Sequence, residues 1–400
     1  MTSGIAQTAV SISRGTFGAL ERCVGHPERF LHNVWSVRAA VHDAAARGGF
    51  DDLLTLDDVD RILTTTSLRT PSFRLVKAGE QIPEAAYTRS GRTGSKPVSG
   101  MADPARIAEL FDGGATIVLQ GLHRNWEPVA GFCRALEIEL GHPCQVNAYV
   151  TPPGSQGLAL HADPHDVFVL QAFGRKRWEI HAAPGESERD PIDADVGPGD
   201  CIYMPAGTPH AASAGSATSG HLTVGVHVVG WRDVLGDAWR RAVDGPEFDG
   251  SIPVGWTGDP AGFAQRLQVR LEHGLAALTA LDADELVDER AQRFLSTRAP
   301  LLRGVLLQHS TVGDIDDATV LTRRAGSLCE LRVAGESLTV LLGDRRLEMP
   351  RWLEPAMRLI ASSERIAVQD LAPTVPDAAA RLVLVRRLVR EGLLLGDLDR

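Results

Sequence analysis

The sequence is short of cysteine, of long apolar runs and of net positive charge, and each shortage removes a class of protein. Its five cysteines, Cys23, Cys133, Cys144, Cys201 and Cys329, are odd in number, scattered through 400 residues and never arranged as Cys-x-x-Cys. Neither a disulfide framework nor a thiolate zinc site is indicated. A formal net charge of -10 argues against nucleic acid or an anionic membrane as a general partner, leaving only a local basic patch open. No apolar run approaches the roughly 18 residues that a membrane span needs. The start, "MTSGIAQTAVSISRGTFGAL", has no basic stretch followed by an apolar core, so no signal peptide is expected. There is no internal repeat and no low-complexity segment. The resulting expectation is a soluble, cytoplasmic protein.

What is present is ordinary for a globular chain, with 44% hydrophobic and 23% charged residues, and the length suggests two or three domains. "ERFLHNVWSVRAAVHDAA" reads as a helix, and so does "LTLDDVDRILTTTSLR", with Asp57 or Asp58 as its cap and Val59, Ile62 and Leu63 on one face. "FRLVKAGEQI" and "GATIVLQGLHR" read as strands, and "NWEPVAGFCRALEIELG" as a helix opened by Asn125 and closed by Gly141. From about 144 to 230 short strands alternate with turn clusters, the pattern of a double-sheet jelly roll or barrel. After Trp231 the pattern is helical. Leu267, Leu271, Leu275 and Leu278 form one stripe, which either packs within the chain or against a second copy. The last ninety residues combine strands, "RWLEPAMRLIASSERIAVQDLA" and "DAAARLVLVRRLVREGLLLG", an order that resembles a winged helix. Eight arginines and seven acids in 351–400 make it a poor DNA reader. The expected division is a catalytic domain over 1–235 with its core at 140–230, a helical region over 236–310 and a winged-helix-like domain over 311–400.

The chemistry concentrates in "LALHADPHDVFVLQAFGRKRW", Leu158 to Trp178. In a strand, residues two apart face the same way, so His161 and Asp163 present an imidazole and a carboxylate together. Alone, such a pair is more often a surface histidine beside a turn-capping aspartate. The second segment, "GDCIYMPAGTPH", runs from Gly199 through Pro205 and Gly207 to His210, and its turns deliver a third ligand onto a neighbouring strand. The two segments resemble the two motifs of the cupin superfamily, with Asp163 where a second histidine is usual. Two histidines and one carboxylate on one face of an octahedron leave three positions open, the arrangement of non-haem Fe(II) oxygenases. Zinc accepts the same ligands but keeps a single open position in a tetrahedral site.

"DVFVLQAFGRKRWEIH" reads as a hairpin turning at Gly174, which places Lys176 on the returning strand, fifteen residues after His161. Alternation turns Lys176 inward if Arg175 and Arg177 face outward; the other reading is a solvent-facing basic turn. A cation inside a barrel has to be paired. Asn147 and Tyr149 share one face of the preceding strand and can donate to carboxylate oxygens. Thr223, on the face of the closing strand that also carries His221 and Gly225, either lines the same pocket or fills the wall. His165, His181 and His227 are extra histidines near the site and are read as structural or exposed.

The run "NAYVTPPGSQGLALHADPHDVFVLQAFGRKRW" resembles the JmjC-type ribosomal oxygenases, Fe(II)- and 2-oxoglutarate-dependent protein hydroxylases in which the Asn-x-Tyr, the "TPP-x-SQG" turn, the His-x-Asp and the later basic residue occur together. The resemblance implies an α+β chain: a double-stranded β-helix (jelly-roll, cupin) catalytic domain, a helical dimerisation region and a winged-helix-like C-terminal domain. By position it implies that His161, Asp163 and His210 bind iron and that Lys176 anchors 2-oxoglutarate, with Asn147, Tyr149 and Thr223 assisting and O2 as the oxidant. It implies hydroxylation of a protein side chain, Arg or His of a ribosomal protein, by a homodimer, with nucleic acid and membrane not expected as partners. Three alternatives stay open: the same chemistry on a small molecule or biosynthetic peptide, a demethylation outcome, and a non-catalytic regulatory protein that uses the winged helix.

Overall fold

The structure is a computed structural model in which residues 18–44, 48–182 and 191–396 are described. The chain divides into two compact units. Among the described residues, one runs to Val228 and includes Leu301–Gly304; the other is built from Val229–Pro300 and residues 305–396. The helical and C-terminal segments thus fall in the same unit.

In the first unit the elements follow in the order α1 (Gly18–Val24), α2 (Pro27–Asn33), β1 (Ala40–His42), α3 (Leu56–Thr65), β2 (Phe73–Lys77), β3 (Glu80–Gln81), β4 (Thr88–Thr93), β5 (Lys96–Ala102), α4 (Pro104–Asp112), β6 (Thr116–Leu119) and α5 (Glu127–Leu140). Then come β7 (Cys144–Thr151), β8 (His161–Ala162), β9 (Asp166–Phe173), β10 (Lys176–Ile180), β11 (Ile192–Val196), β12 (Cys201–Met204), β13 (Pro209–Ala214) and β14 (Ser219–Val226). An eight-stranded sheet has the order β1-β12-β9-β14-β7-β6-β2-β3 and a four-stranded sheet the order β11-β10-β13-β8. Val167, Val169, Ile202 and Met204 of the large sheet pack with Trp178, Ile180 and Val196 of the small one, so the two sheets close on each other. This is the double-sheet jelly roll that the strand spacing predicts.

The large sheet is buried on both faces, and alternation decides what each face meets. Val146, Ala148 and Val150 of β7, Phe168 and Leu170 of β9, and Leu222 and Val224 of β14 join Leu20, Phe132 and Leu136 of the helices in the main core. Tyr149, Val167, Val169, His221 and Thr223, the intervening residues, look into the barrel.

Several local expectations are corrected. The helix predicted over 28–45 ends at Asn33, because Ser36 adopts φ 54 and its N–H donates to the Tyr203 hydroxyl, turning the chain so that Ala40–His42 can pair with β12. The cap of α3 is Thr55, in a reciprocal box with Asp58, rather than either aspartate. Trp126, not Asn125, precedes α5, while Gly141 ends it with φ 70 as expected. The β4–β5 ribbon and β11 were not anticipated; the ribbon is rich in Gly and Ser and polar on both faces, so no alternation marks it. The predicted 166–181 hairpin does not form. β9 lies in the large sheet and β10 in the small one, so Gly174 marks a crossover between layers.

In the second unit α6 (Trp231–Ala242) packs on α7 (Pro260–Thr279), where Gly274 lies directly under the Trp239 ring. The helical run breaks before α8 (Ala283–Ser296), whose first turn Asp282 caps. Leu267, Leu271 and Leu275 of α7 are 46%, 41% and 55% exposed, so most of the predicted stripe lies open to solvent. Residues 305–396 have their own core, including Leu321, Val340, Met357 and Leu388. It is covered by α9 (Val305–Thr311), α10 (Glu354–Ser362), α11 (Ala378–Arg390) and two three-stranded sheets. A short strand, Arg365–Ala367, separates α10 from α11, so the two helices are not joined by a simple turn. No helix among the described residues is long and apolar enough to cross a membrane.

The layer crossover generates a test. Gly174 adopts φ +63, and a Cβ there would lie 2.2 Å from the Thr218 carbonyl oxygen. Gly174→Ala is expected to cost roughly 2–3 kcal/mol in urea unfolding. Gly154→Ala, at φ +66 with nothing within 4 Å of its Cβ, is expected to cost distinctly less.

Candidate metal and co-substrate site

β8 and β13 are antiparallel neighbours in the small sheet, and their register sets His161 directly opposite His210. The rings lie 4.4 Å apart. Asp163 follows the end of β8, where its carbonyl accepts the Gly207 N–H at 2.8 Å and so stays tied to the turn that leads into β13. One ligand atom each from His161, Asp163 and His210 lie within 4.8 Å of one another. His210 Nε2 is 3.8 Å from Asp163 Oδ2.

Backbone carbonyls orient both histidines. His161 Nδ1 sits 2.8 Å from the Ala159 carbonyl and His210 Nδ1 2.9 Å from the Thr208 carbonyl. With the Nδ1–H donated, each ring keeps Nε2 as the basic nitrogen, as metal-binding histidines require. Burial, the largest effect on His210, also pushes its pKa down and favours the neutral, ligating form. The donor set therefore fits a divalent metal that takes nitrogen and oxygen ligands.

A buried carboxylate fastens the loop behind the ligands. Asp166 accepts the Tyr203 hydroxyl and the Ala206 N–H, the latter at 2.9 Å, which locks the segment carrying Asp163 to the Pro205–Gly207 turn before His210. Tyr203 is correspondingly held protonated, its pKa raised by burial and then by Asp166.

The three ligands open onto a cavity of about 40 Å³ inside the barrel, lined also by Thr116, Tyr149, Lys176, Trp178, His221 and Thr223. Lys176 is 2% exposed, while Arg175 and Arg177 on either side point outward and pair with Asp195 and Asp193. Alternation along β10 thus turns Lys176 inward as drawn from the sequence, although the strand belongs to a different sheet. The chain has three lysines against 38 arginines. At this wall it places the compact ammonium rather than the bulky, permanently charged guanidinium. No carboxylate pairs with Lys176 among the described residues, and burial pushes its pKa down to about 7. Its Nζ lies 2.9 Å from His221 Nδ1.

Tyr149 faces His221 across the β7–β14 pair, with the rings stacked at 5.1 Å and 9°. Burial raises the Tyr149 pKa, and Arg74 and Asn147 both engage its hydroxyl. Thr223 lines the cavity. Asn147 stands beside the cavity rather than in its wall, with its Oδ1 taken by the Gly121 N–H at 2.9 Å. The extra histidines are not among the residues that line the cavity: His165 stands edge-on to His227, and His181 pairs with Glu179. Sequence reading missed His221, Trp178, Thr116 and Arg74. Alternation already put His221 on the Thr223 face; Thr116 and Arg74 lie more than thirty residues upstream of His161 with no motif to mark them.

Comparison with known proteins agrees with this geometry. The JmjC domain family matches residues 123–234, the segment that contains His161, Asp163 and His210. In particular, it is similar to ribosomal oxygenase 1 of Rattus norvegicus (27% identical over 52% of this chain and 36% of that protein). It is similar as well to the bifunctional lysine-specific demethylase and histidyl-hydroxylase NO66 of Branchiostoma floridae (28% identical over 54% of this chain and 34% of that protein). The chain spans about a third of the length of these curated relatives. Among solved structures, YcfD, a ribosomal oxygenase from Escherichia coli, shares the fold over 93% of this chain and 98% of its own, with a TM-score of 0.54 and 18% identity. YcfD has also been solved in complex with cobalt and 2-oxoglutarate, matching 92% of this chain with a TM-score of 0.53 and 17% identity.

The electrostatics fix a pH dependence. A lysine with a pKa of about 7 loses its charge as pH rises through neutrality, and only the charged form attracts an anion. The Kd of a small dicarboxylate, measured by calorimetry, is therefore expected to weaken from pH 7 to 8.5, approaching tenfold per pH unit. Lys176→Arg should flatten that slope. A Kd independent of pH in the unsubstituted protein would remove the ammonium from the anion site.

Proposed function

We propose that this chain is an Fe(II)- and 2-oxoglutarate-dependent oxygenase that hydroxylates a protein side chain, with an Arg or His of a ribosomal protein as the target. The observation that carries the reading is one cavity containing both halves of the required chemistry. His161, Asp163 and His210 present two imidazoles and a carboxyl group together, and Lys176 faces the same space without a carboxylate partner among the described residues. The relatives named ribosomal oxygenase support the ribosomal target.

His161, Asp163 and His210 would hold the iron. With 2-oxoglutarate and O2 it supplies oxidative decarboxylation to succinate and CO2 and the insertion of one oxygen atom into a substrate C–H bond. The protein's own part is placement. The Ala159 and Thr208 carbonyls engage both Nδ1 atoms and leave both Nε2 atoms for the metal, and Asp163 contributes the oxygen ligand of the set. Lys176 receives the far carboxylate of 2-oxoglutarate, which gives the buried ammonium the partner it needs. Tyr149 and Thr223 offer hydroxyls to the same molecule, and Asn147 acts on it through Tyr149. Trp178, Val167 and Val169 supply apolar wall to the cavity.

The remaining organisation belongs to this reading. The exposed leucines of α7 support a homodimer formed by the 236–310 region, and the 311–400 region is a winged-helix-like accessory domain. Five free cysteines suit a reducing cytoplasm.

Succinate release from 2-oxoglutarate with Fe(II) tests the chemistry, and mass spectrometry of ribosomal proteins from cells with and without the gene, searched for a +16 shift, tests the target. Asp163→Ala is expected to abolish succinate formation. Lys176→Ala is expected to raise the 2-oxoglutarate KM about ten- to a hundredfold, the cost of a lost hydrogen bond to a charged group. Undiminished turnover in Asp163→Ala would overturn the iron assignment.

A further inference from the structure

We infer that His221 is a positioning residue for the co-substrate: it fixes the Lys176 ammonium by accepting one of its hydrogen bonds while adding no charge that would compete with the incoming carboxylate. The inference rests on the oxygenase reading for the identity of the anion, but its geometry does not. His221 Nδ1 lies 2.9 Å from Lys176 Nζ. Its ring is held on one face by Tyr149, stacked at 5.1 Å, and met by Trp178 at 5.2 Å and 72°. The β14 register sets His221 opposite Tyr149, so the ring that meets Lys176 is packed against its cross-strand neighbour.

The choice of side chain follows from electrostatics. A buried ammonium needs acceptors, yet a carboxylate in this position would neutralise it and repel the ligand's own carboxylate. An apolar residue would leave the ammonium unheld at the end of a flexible stem. A neutral imidazole avoids both faults. Burial and the adjoining Lys176 charge hold His221 far below its ordinary pKa, so it stays an uncharged acceptor. One Lys176 proton is then committed to His221, and the other two remain for a single carboxylate.

Three variants of the full chain separate the possibilities. His221→Phe keeps a ring and removes the acceptor, His221→Gln returns an acceptor, and His221→Glu adds a charge. In steady-state succinate assays, His221→Phe is expected to raise the 2-oxoglutarate KM about tenfold with kcat within twofold. His221→Gln should recover most of that loss, and His221→Glu should show no saturation. A second readout needs no turnover. The chain has only three lysines, Lys77, Lys96 and Lys176, so 13Cε-lysine NMR can follow Lys176 alone. Loss of the acceptor removes a bond to the charged form and should move the Lys176 titration to lower pH in His221→Phe, with recovery in His221→Gln. A Lys176 midpoint unchanged in His221→Phe, or a kcat loss at constant KM, would overturn the positioning role. A shifted midpoint in a chain that never forms succinate would keep the role and overturn the oxygenase reading instead.

Discussion

A lysine ammonium buried in the barrel wall is the constraint around which this site is organised. Burial disfavours its charge, and no carboxylate of the described residues is there to restore it. The barrel wall therefore answers in other ways. A neutral histidine accepts one hydrogen bond, two aromatic rings hold that histidine, and the metal ligands stand across the same cavity. In the proposed function an anion completes the site, and the fold supplies its walls.

The metal half is organised by the backbone. One strand register places His161 against His210, two carbonyls set the tautomers, and the Gly207 N–H holds the Asp163 segment to the facing turn. Asp166, three residues beyond the last ligand of its segment, repeats that attachment with a buried carboxylate. Because these partners are short-range and mostly main chain, they orient the three candidate ligand side chains without help from a metal.

Much of the site was legible because strands write their facing into the sequence. His161, Asp163, Lys176, Tyr149 and Thr223 are each assigned by period-two alternation, and His210 by the glycine and proline turns ahead of it. The hairpin drawn for 166–181 fails for a reason alternation cannot report. The pattern states which way a side chain points along its own strand, not which sheet the strand joins. Lys176 points inward on either topology, because facing depends on its place along β10 and not on the sheet that β10 joins. Ser36 and the ribbon over 88–102 show the opposite limit: a positive φ and a polar two-sided hairpin leave no periodic trace.

The sequence by itself determined the candidate ligand set, the inward lysine and the strand-rich core, because each depends on residue identity and local period. Tertiary structure alone decided that β9 and β10 lie in opposite sheets, that Asn147 serves Tyr149 and Gly121 rather than the cavity wall, and that His221 meets Lys176. Those facts arise from contacts between strands 45 residues apart, as in Lys176 and His221, and no local pattern encodes which distant strands will be neighbours.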